Sequence, residues 1–241
     1  VKLYYRQGSR ENRLITPALR AAEGLGLLGY EVVPYVDQVP VIEDNETMVA
    51  GFIEDVRGAV LQLTGSKPET FNYPYELAQF TLRSTWVTTL GAIRSNSTIW
   101  PVFIKPYEES KTFTGVLVTA SRHVLRTAGL PSETKVWASS PVRFVSEYRC
   151  FVQRGEVVGC RFYKGDTLVF PDAGVIRAMV AAWATSPAAY CLDVGVLDDG
   201  RTALVEVNDG YAAGDYGLDS LIYARWLEAR WCELTGMRPI P

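Results

Sequence analysis

The sequence predicts an α+β protein: a small α/β lobe followed by antiparallel sheet elements with covering helices. Three observations carry that reading. The chain opens as strand, helix, strand, from "VKLYY" through a helix after Thr16 to "YEVVPYV". Two later stretches, "SEYRCFVQRGEVVGCRFY" and "YCLDVGVLDDGRTALVEVNDG", read as apolar hairpins turning at Arg154-Gly155 and around Asp198–Gly200. The last third also carries two helical stretches, "DAGVIRAMVAAWA" and the amphipathic "DSLIYARWLEARWCEL".

Taken in order, Thr16 and Pro17 form an N-cap and N1 pair. Ala18, Ala21, Leu25 and Leu28 follow at helical spacing, and Gly29 ends the helix. "TMVAGFI" is a third strand and "EDVRGAVLQLTG" a short helix. The opening β-α-β unit has no Gly-rich dinucleotide fingerprint. "SKPETFNYPYE" is rich in turn-forming residues and places a domain boundary near Asn72, giving a lobe over 1–72 and a second domain over 73–241. Beyond it, "LAQFTLRSTWVTTLGAI" is expected to be helical, and "WPVFIKP", "TFTGVLVT" and "TKVWAS" are expected to be strands. No repeat and no low-complexity tract interrupts the chain.

Composition narrows the function. The chain has 241 residues, 48% of them hydrophobic, enough for a full core. A net charge of −3 argues against a broad nucleic-acid surface but leaves room for a local basic pocket. No apolar run approaches the roughly 18 residues of a membrane span, and "VKLYYRQGSREN" has no apolar signal region. A cytoplasmic protein with neither membrane nor nucleic-acid partner is expected. The single histidine, His123, excludes a multi-histidine metal site and reads as a surface or capping residue; no G-x-S-x-G elbow accompanies it. The four cysteines form no C-x-x-C pair and are expected to be free thiols. A two-residue turn at Arg154-Gly155 would set Cys160 opposite Arg149, so no Cys150–Cys160 bridge is expected.

The chemistry concentrates in the last hairpin. Glu206 and Asn208 are two apart and share a strand face, and a turn around Asp198–Gly200 folds Asp193 towards Glu206. Two carboxylates and an amide oxygen suit a hard cation, Mg2+ or Mn2+. The alternatives are a carboxylate paired with an arginine, or Asx turns in "DDG" and "NDG". Burying a carboxylate is costly, so something positive should sit against it. Lys105 ends a buried strand, where its charge can meet a phosphate or simply reach solvent. Lys111, in "ESKTFTG", sits in a polar loop that is either a phosphate lid or a plain turn. Glu147 and Arg149 are either an ion pair or, for Arg149, an oxyanion contact.

The order of these signals resembles the ATP-grasp superfamily: a strand-end lysine, a polar lid, a strand leading to Glu-x-Arg, then Asp and Glu-x-Asn. "FIKP", "KTFTG", "SEYRCFV", "LDVGV", "LVEVNDG" and "YGLDSLIYARW" are more specifically similar to a small clade named for two arginines and a lysine and proposed to form amide bonds. The resemblance implies an ATP-grasp fold, two α+β subdomains sandwiching ATP, preceded by a pre-ATP-grasp lobe over 1–72. It implies Asp193, Glu206 and Asn208 as magnesium ligands, Lys105 and Lys111 as nucleotide lysines, and Trp137, Ala138 and Ser139 as the hinge that meets adenine. It implies Arg149 as a clade arginine facing phosphate or acyl phosphate, with Arg83 a candidate for the other. Many family members carry an acidic ribose ligand just after the hinge; here the nearest acid is Glu147, several residues on. The implied activity is an ATP-dependent ligase joining a small-molecule or peptide carboxylate to an amine. A metal-dependent kinase and a nucleotide-binding module without turnover are the alternatives.

Overall fold

A computed structural model describes residues 1–8, 16–42, 44–107 and 112–240. The chain divides into two compact units, Val1–Leu77 with Val145–Pro241, and Ala78–Phe144. This division follows packing and does not run along the 1–72 and 73–241 division expected from the sequence: the N-terminal residues share a core with the C-terminal ones.

In the larger unit, strands β1 (Lys2–Arg6), β2 (Glu31–Tyr35) and β3 (Thr47–Ala50) form a parallel sheet in the order β2-β1-β3. Helix α1 (Thr16–Leu27) buries Ala18, Ala21 and Leu25. Gly24 is required by packing: a Cβ there would lie 2.0 Å from the carbonyl oxygen of Ser220 at the start of α6 (Ser220–Thr235). Helix α2 (Ile53–Thr64) is tied to this sheet by Asp55. Its carboxylate accepts from Arg6 at 3.0 and 2.9 Å, from Tyr35 Oη at 3.0 Å and from the Phe52 amide at 3.0 Å.

The second sheet of this unit is antiparallel, in the order β11-β10-β8-β9, from β8 (Phe144–Gln153), β9 (Glu156–Gly165), β10 (Ala189–Leu197) and β11 (Thr202–Asp209). Both hairpins expected from the sequence are present. Arg154 and Gly155 turn the first with φ of 48° and 80°. Helix α5 (Ala173–Ala182) is capped by Asp172, which accepts from the Val175 amide.

Helix α6 departs from the amphipathic expectation. Tyr223, Trp226, Leu227, Glu228, Arg230 and Trp231 are all buried, so most of its circumference lies inside the core. Its polar groups are satisfied there: Trp226 Nε1 donates to the Val152 carbonyl at 2.9 Å, and Glu228 accepts from Tyr30 Oη at 2.6 Å.

The smaller unit holds an antiparallel sheet in the order β4-β7-β5-β6, from β4 (Thr85–Thr89), β5 (Val102–Pro106), β6 (Val116–Val118) and β7 (Lys135–Ser139). One face packs Ile104, Val102, Val136 and Ala138 against α3 (Leu90–Ser95) through Leu90 and Ile93. The helix expected over 77–93 is therefore corrected. The segment is a 3-10 turn (Tyr75–Thr81), strand β4 and the short α3. "TWVTT" is made of β-branched and aromatic residues and pairs in full with β7, an opportunity the local pattern does not reveal. A fourth helix of one turn, α4 (Ser121–Val124), contains His123, whose Nδ1 accepts from the Thr119 amide at 3.1 Å.

Candidate active site

The register of β10 and β11 sets Asp193 opposite Glu206 and Cys191 opposite Asn208. Opposed residues share a face, so the three side chains expected to converge do so. Strand β8 lies on the other side of β10 and brings Arg149. Its Nε donates to Asp193 Oδ1 at 2.8 Å and its Nη2 to Oδ2 at 2.7 Å, a bidentate pair. Asn208 Nδ2 donates to Asp193 Oδ2 at 3.0 Å and to Glu206 Oε1 at 3.3 Å. The positive group demanded by the buried carboxylate is Arg149. Asp193 is 2% exposed and Arg149 8%, so neither charge could be kept without the other. Burial alone would lower the pKa of Arg149, but the negative charge of Asp193 prevails and holds it well above its ordinary value.

The surroundings of this cluster come from residues that sequence reasoning missed. The guanidinium of Arg149 lies 4.8 Å from the centroid of the Tyr216 ring. Tyr216 stacks on Tyr163, with centroids 5.3 Å apart. Tyr216 has a φ of 44°, a conformation uncommon outside glycine, in a turn where Asp215 accepts from the Gly217 amide. Tyr163 Oη donates to Glu147 Oε2 at 2.9 Å, and Lys164 Nζ donates to Glu147 Oε1 at 2.5 Å. Burial, followed by the charges of Asp193 and Glu147, pushes the Tyr163 phenol far up, so it stays a neutral donor. The alternative of a Glu147–Arg149 ion pair is not what forms: each has its own partners on β9 and β10. Arg161 stands opposite Arg149 and shares its face, and its Nε is buried without a hydrogen-bond partner.

Two bulges in β9 account for these differences. Phe151 pairs with Gly159 while Val152 pairs with Val157, which makes Val158 an extra residue; Tyr148 pairs with Phe162 while Glu147 pairs with Lys164, which makes Tyr163 another. The first bulge moves Cys160 from the expected position opposite Arg149 to one opposite Cys150, with the two Sγ atoms 3.0 Å apart. The expectation that these cysteines face opposite ways is thereby corrected; both are free thiols.

In the smaller unit, Lys105 pairs with Trp137, and Phe103 pairs with Ser139, so these four share the face turned away from the core. Trp137 stacks on Tyr107 with centroids 5.7 Å apart. Ala138 is 1% exposed and belongs to the core on the other face. Strand β7 is interior to its sheet, and Trp137, Ala138 and Ser139 have partners on both β4 and β5. Arg83 donates to the Thr81 carbonyl at 3.1 Å and lies over the Phe144 ring at 5.5 Å. Lys111 lies outside the described residues.

The donor set fits a hard cation. Asp193 and Glu206 offer carboxylate oxygens, and a half-turn of the Asn208 amide would present Oδ1 where Nδ2 now points. Among the described residues no three His, Cys, Asp or Glu side chains group as a metal site. Two carboxylates and an amide leave coordination positions for water and phosphate oxygens, as Mg2+ prefers.

The family model "ATP-grasp domain, R2K clade family 2" matches residues 80–226, more than half of the chain. The chain belongs to the R2K clade of ATP-grasp proteins. No curated protein sequence gives a significant match. The fold is shared with solved ATP-grasp structures. D-alanine–D-alanine ligase from Bacillus anthracis aligns at a TM-score of 0.60 and 10% identity, covering 98% of this chain and 99% of that one. D-cycloserine synthetase DcsG aligns at 0.61 and 13%, covering 95% and 99%. The ATP-grasp ligase PsnB, complexed with minimal precursor, Mg and ADP, aligns at 0.51 and 14%, covering 97% of each. The α+β ATP-grasp fold expected from the sequence is the fold observed.

Proposed function

We propose that this R2K-clade protein is an ATP-dependent ligase that joins a small-molecule or peptide carboxylate to an amine. The observation that carries the reading is the Arg149–Asp193–Asn208–Glu206 cluster, whose four residues lie within the stretch that the family model matches. In this reading a substrate carboxylate attacks the γ-phosphate of ATP, giving ADP and an acyl phosphate, and the amine then displaces phosphate. Both partners of the first step are anions, so the rate depends on cations placed where charge develops. No side-chain nucleophile is needed, in keeping with a chain that has one histidine.

Asp193, Glu206 and Asn208 would hold Mg2+ or Mn2+, which when bound supplies charge neutralisation between phosphate oxygens. Arg149 has a second function beyond pairing with Asp193: its guanidinium edge orients an acyl or phosphoryl oxygen. Arg161, opposite it, adds a second cation, a role the sequence had suggested for Arg83. We assign Lys105 and Lys111 to nucleotide phosphates, and Trp137, Ala138 and Ser139 to adenine. Glu147 keeps its assignment to nucleotide binding, with Tyr163 and Lys164 fixing its orientation. Peptides are included among the substrates because PsnB, which shares the fold, was solved with its precursor. Residues 1–72 are read as a lobe preceding the ATP-grasp domain over 73–241.

The test is a coupled assay of ADP release across paired panels of amino acids, short peptides and amines, with mass spectrometry of the products. The expected result is ADP release that needs both a carboxylate and an amine and yields a product joined with loss of water. ADP release accompanied by a stable phosphorylated alcohol would replace the ligase with a kinase. Nucleotide binding without ADP release from any pair would support a module without turnover.

A further inference from the structure

The β8–β9 hairpin carries a feature that the ligase reading does not use. Val158, the extra residue of the first bulge, shifts β9 by one position and sets Cys160 opposite Cys150. Residues directly opposed across an antiparallel pair have Cα atoms about 4.5–5.5 Å apart, within the span of about 4.4–6.8 Å that a disulfide bridges. Both cysteines are free thiols, and their Sγ atoms are 3.0 Å apart. Closing to a bond length of about 2.05 Å asks for a movement of about 1 Å.

The two thiols differ in access and in reactivity. Cys150 is fully buried, whereas Cys160 is partly exposed and lines a cavity of about 860 Å³ with Arg154, Val157, Ile176, Val180 and Trp183. The hydrogen bond from Cys150 lowers the pKa of Cys160; burial opposes this and Arg161 assists it. Thiolate character is what makes a cysteine attack a disulfide.

We propose that Cys150 and Cys160 are a reversible dithiol–disulfide site, oxidised by small disulfides that reach Cys160 from this cavity. The Cys160 thiolate attacks one sulfur of the small disulfide, forming a mixed disulfide and releasing one thiol. Cys150, already against Cys160 Sγ, attacks that sulfur and releases the second thiol. One protein dithiol and one small disulfide thus give one protein disulfide and two small thiols, and the two protein thiol protons leave with the products. The bond crosslinks β8 to β9 one residue from Arg149 and one from Arg161. The proposal does not depend on the ligase reading, since it concerns neither nucleotide nor metal.

The experiment treats the reduced full chain with hydroxyethyl disulfide, removes the reagent, unfolds the chain in acid and then denaturant so that buried thiols are accessible, alkylates the remaining thiols with iodoacetamide and maps the peptides by mass spectrometry. The expected wild-type result is loss of two hydrogens, alkylation at Cys191 and Cys232 only, and one crosslinked pair containing Cys150 and Cys160. Dithiothreitol should restore four alkylatable thiols. Cys150→Ser should stop at a stable mixed disulfide on Cys160, and Cys160→Ser should leave Cys150 reduced. Four unmodified thiols after treatment, a lasting adduct on wild-type Cys160, or a bond to Cys191 or Cys232 would each overturn the proposal. The wild-type map decides the matter even if a variant fails to fold.

Discussion

Two buried arginine–aspartate pairs of almost the same geometry involve the last hairpin. Arg149 meets Asp193 at 2.8 and 2.7 Å, and Arg230 meets Asp209 at 2.7 and 2.6 Å. Their neighbours differ. Arg230 also binds Glu233 on its own helix and lies 5.9 Å from the centre of the Phe71 ring, so its surroundings complete a structural contact. Asp193 instead also accepts from Asn208, which donates to Glu206 as well, so a second carboxylate and an amide gather on the sheet face beside the pair. The comparison teaches that a bidentate pair does not by itself mark a site. What sets the Asp193 pair apart is the set of hard-cation donors, a second carboxylate and an amide, gathered on one sheet face beside it. Asp209, at the end of the same hairpin, belongs to the structural pair.

The largest effects should come from breaking either pair. Arg149→Met and Arg230→Met each leave an unpaired buried carboxylate, and each should lower unfolding stability by about 3–5 kcal/mol in denaturant titrations. Replacing both partners separates the two. Arg230→Met with Asp209→Leu should regain most of that stability and still bind Mg-ATP. Arg149→Met with Asp193→Leu should regain stability and lose nucleotide binding. Equal nucleotide binding by the two double variants would erase the distinction.

Next in size is Glu206→Gln, which keeps shape and removes one negative charge. ADP formation should fall by at least about 100-fold, since charge neutralisation by a metal contributes several kcal/mol to a phosphoryl transition state. Unfolding stability should change by less than about 1 kcal/mol, because Glu206 is only partly buried. Raising magnesium in the steady-state assay should recover part of the loss. Near-normal turnover would make the hairpin carboxylates structural.

The smallest effect is expected in the other unit. Lys105 lies on a strand face away from its core, so Lys105→Met should leave stability within about 0.5 kcal/mol of wild type. Nucleotide affinity should fall by about tenfold, or about 1.4 kcal/mol. Wild-type affinity and ADP release would remove Lys105 from the site.

What the sequence disclosed follows from how local each feature is. Alternation and the Asp-Asp-Gly-Arg turn disclose the last hairpin, but the turn register alone would set Asp193 opposite Val205; a bulge that makes Val205 the extra residue sets it opposite Glu206. Gly159 beside Val158 is a bulge signal but does not fix which residue is extra, and the bulge at Tyr163 has no such mark, so the register of Cys160 and the partners of Glu147 were hidden. "TWVTT" could be read as helix because its strand partner, β7, comes nearly fifty residues later. Tyr216 reaches Arg149 only through the turn at Asp215–Gly217, where nothing in composition distinguishes it from a surface tyrosine. Helix α6 read as amphipathic because Glu228 and Arg230 are charged, and only the fold supplies Tyr30 and Asp209 to bury them.

The central claim is that the Asp193, Glu206 and Asn208 cluster makes nucleotide binding depend on a divalent cation. Isothermal titration of ATP into the wild-type chain, with magnesium and with excess chelator, tests it most directly, alongside the same pair of titrations for Glu206→Gln. The account predicts clear binding by the wild type with magnesium, a marked loss of affinity in chelator, and a much smaller difference between the two conditions in Glu206→Gln. The same affinity in all four titrations, or no binding in any of them, would contradict it.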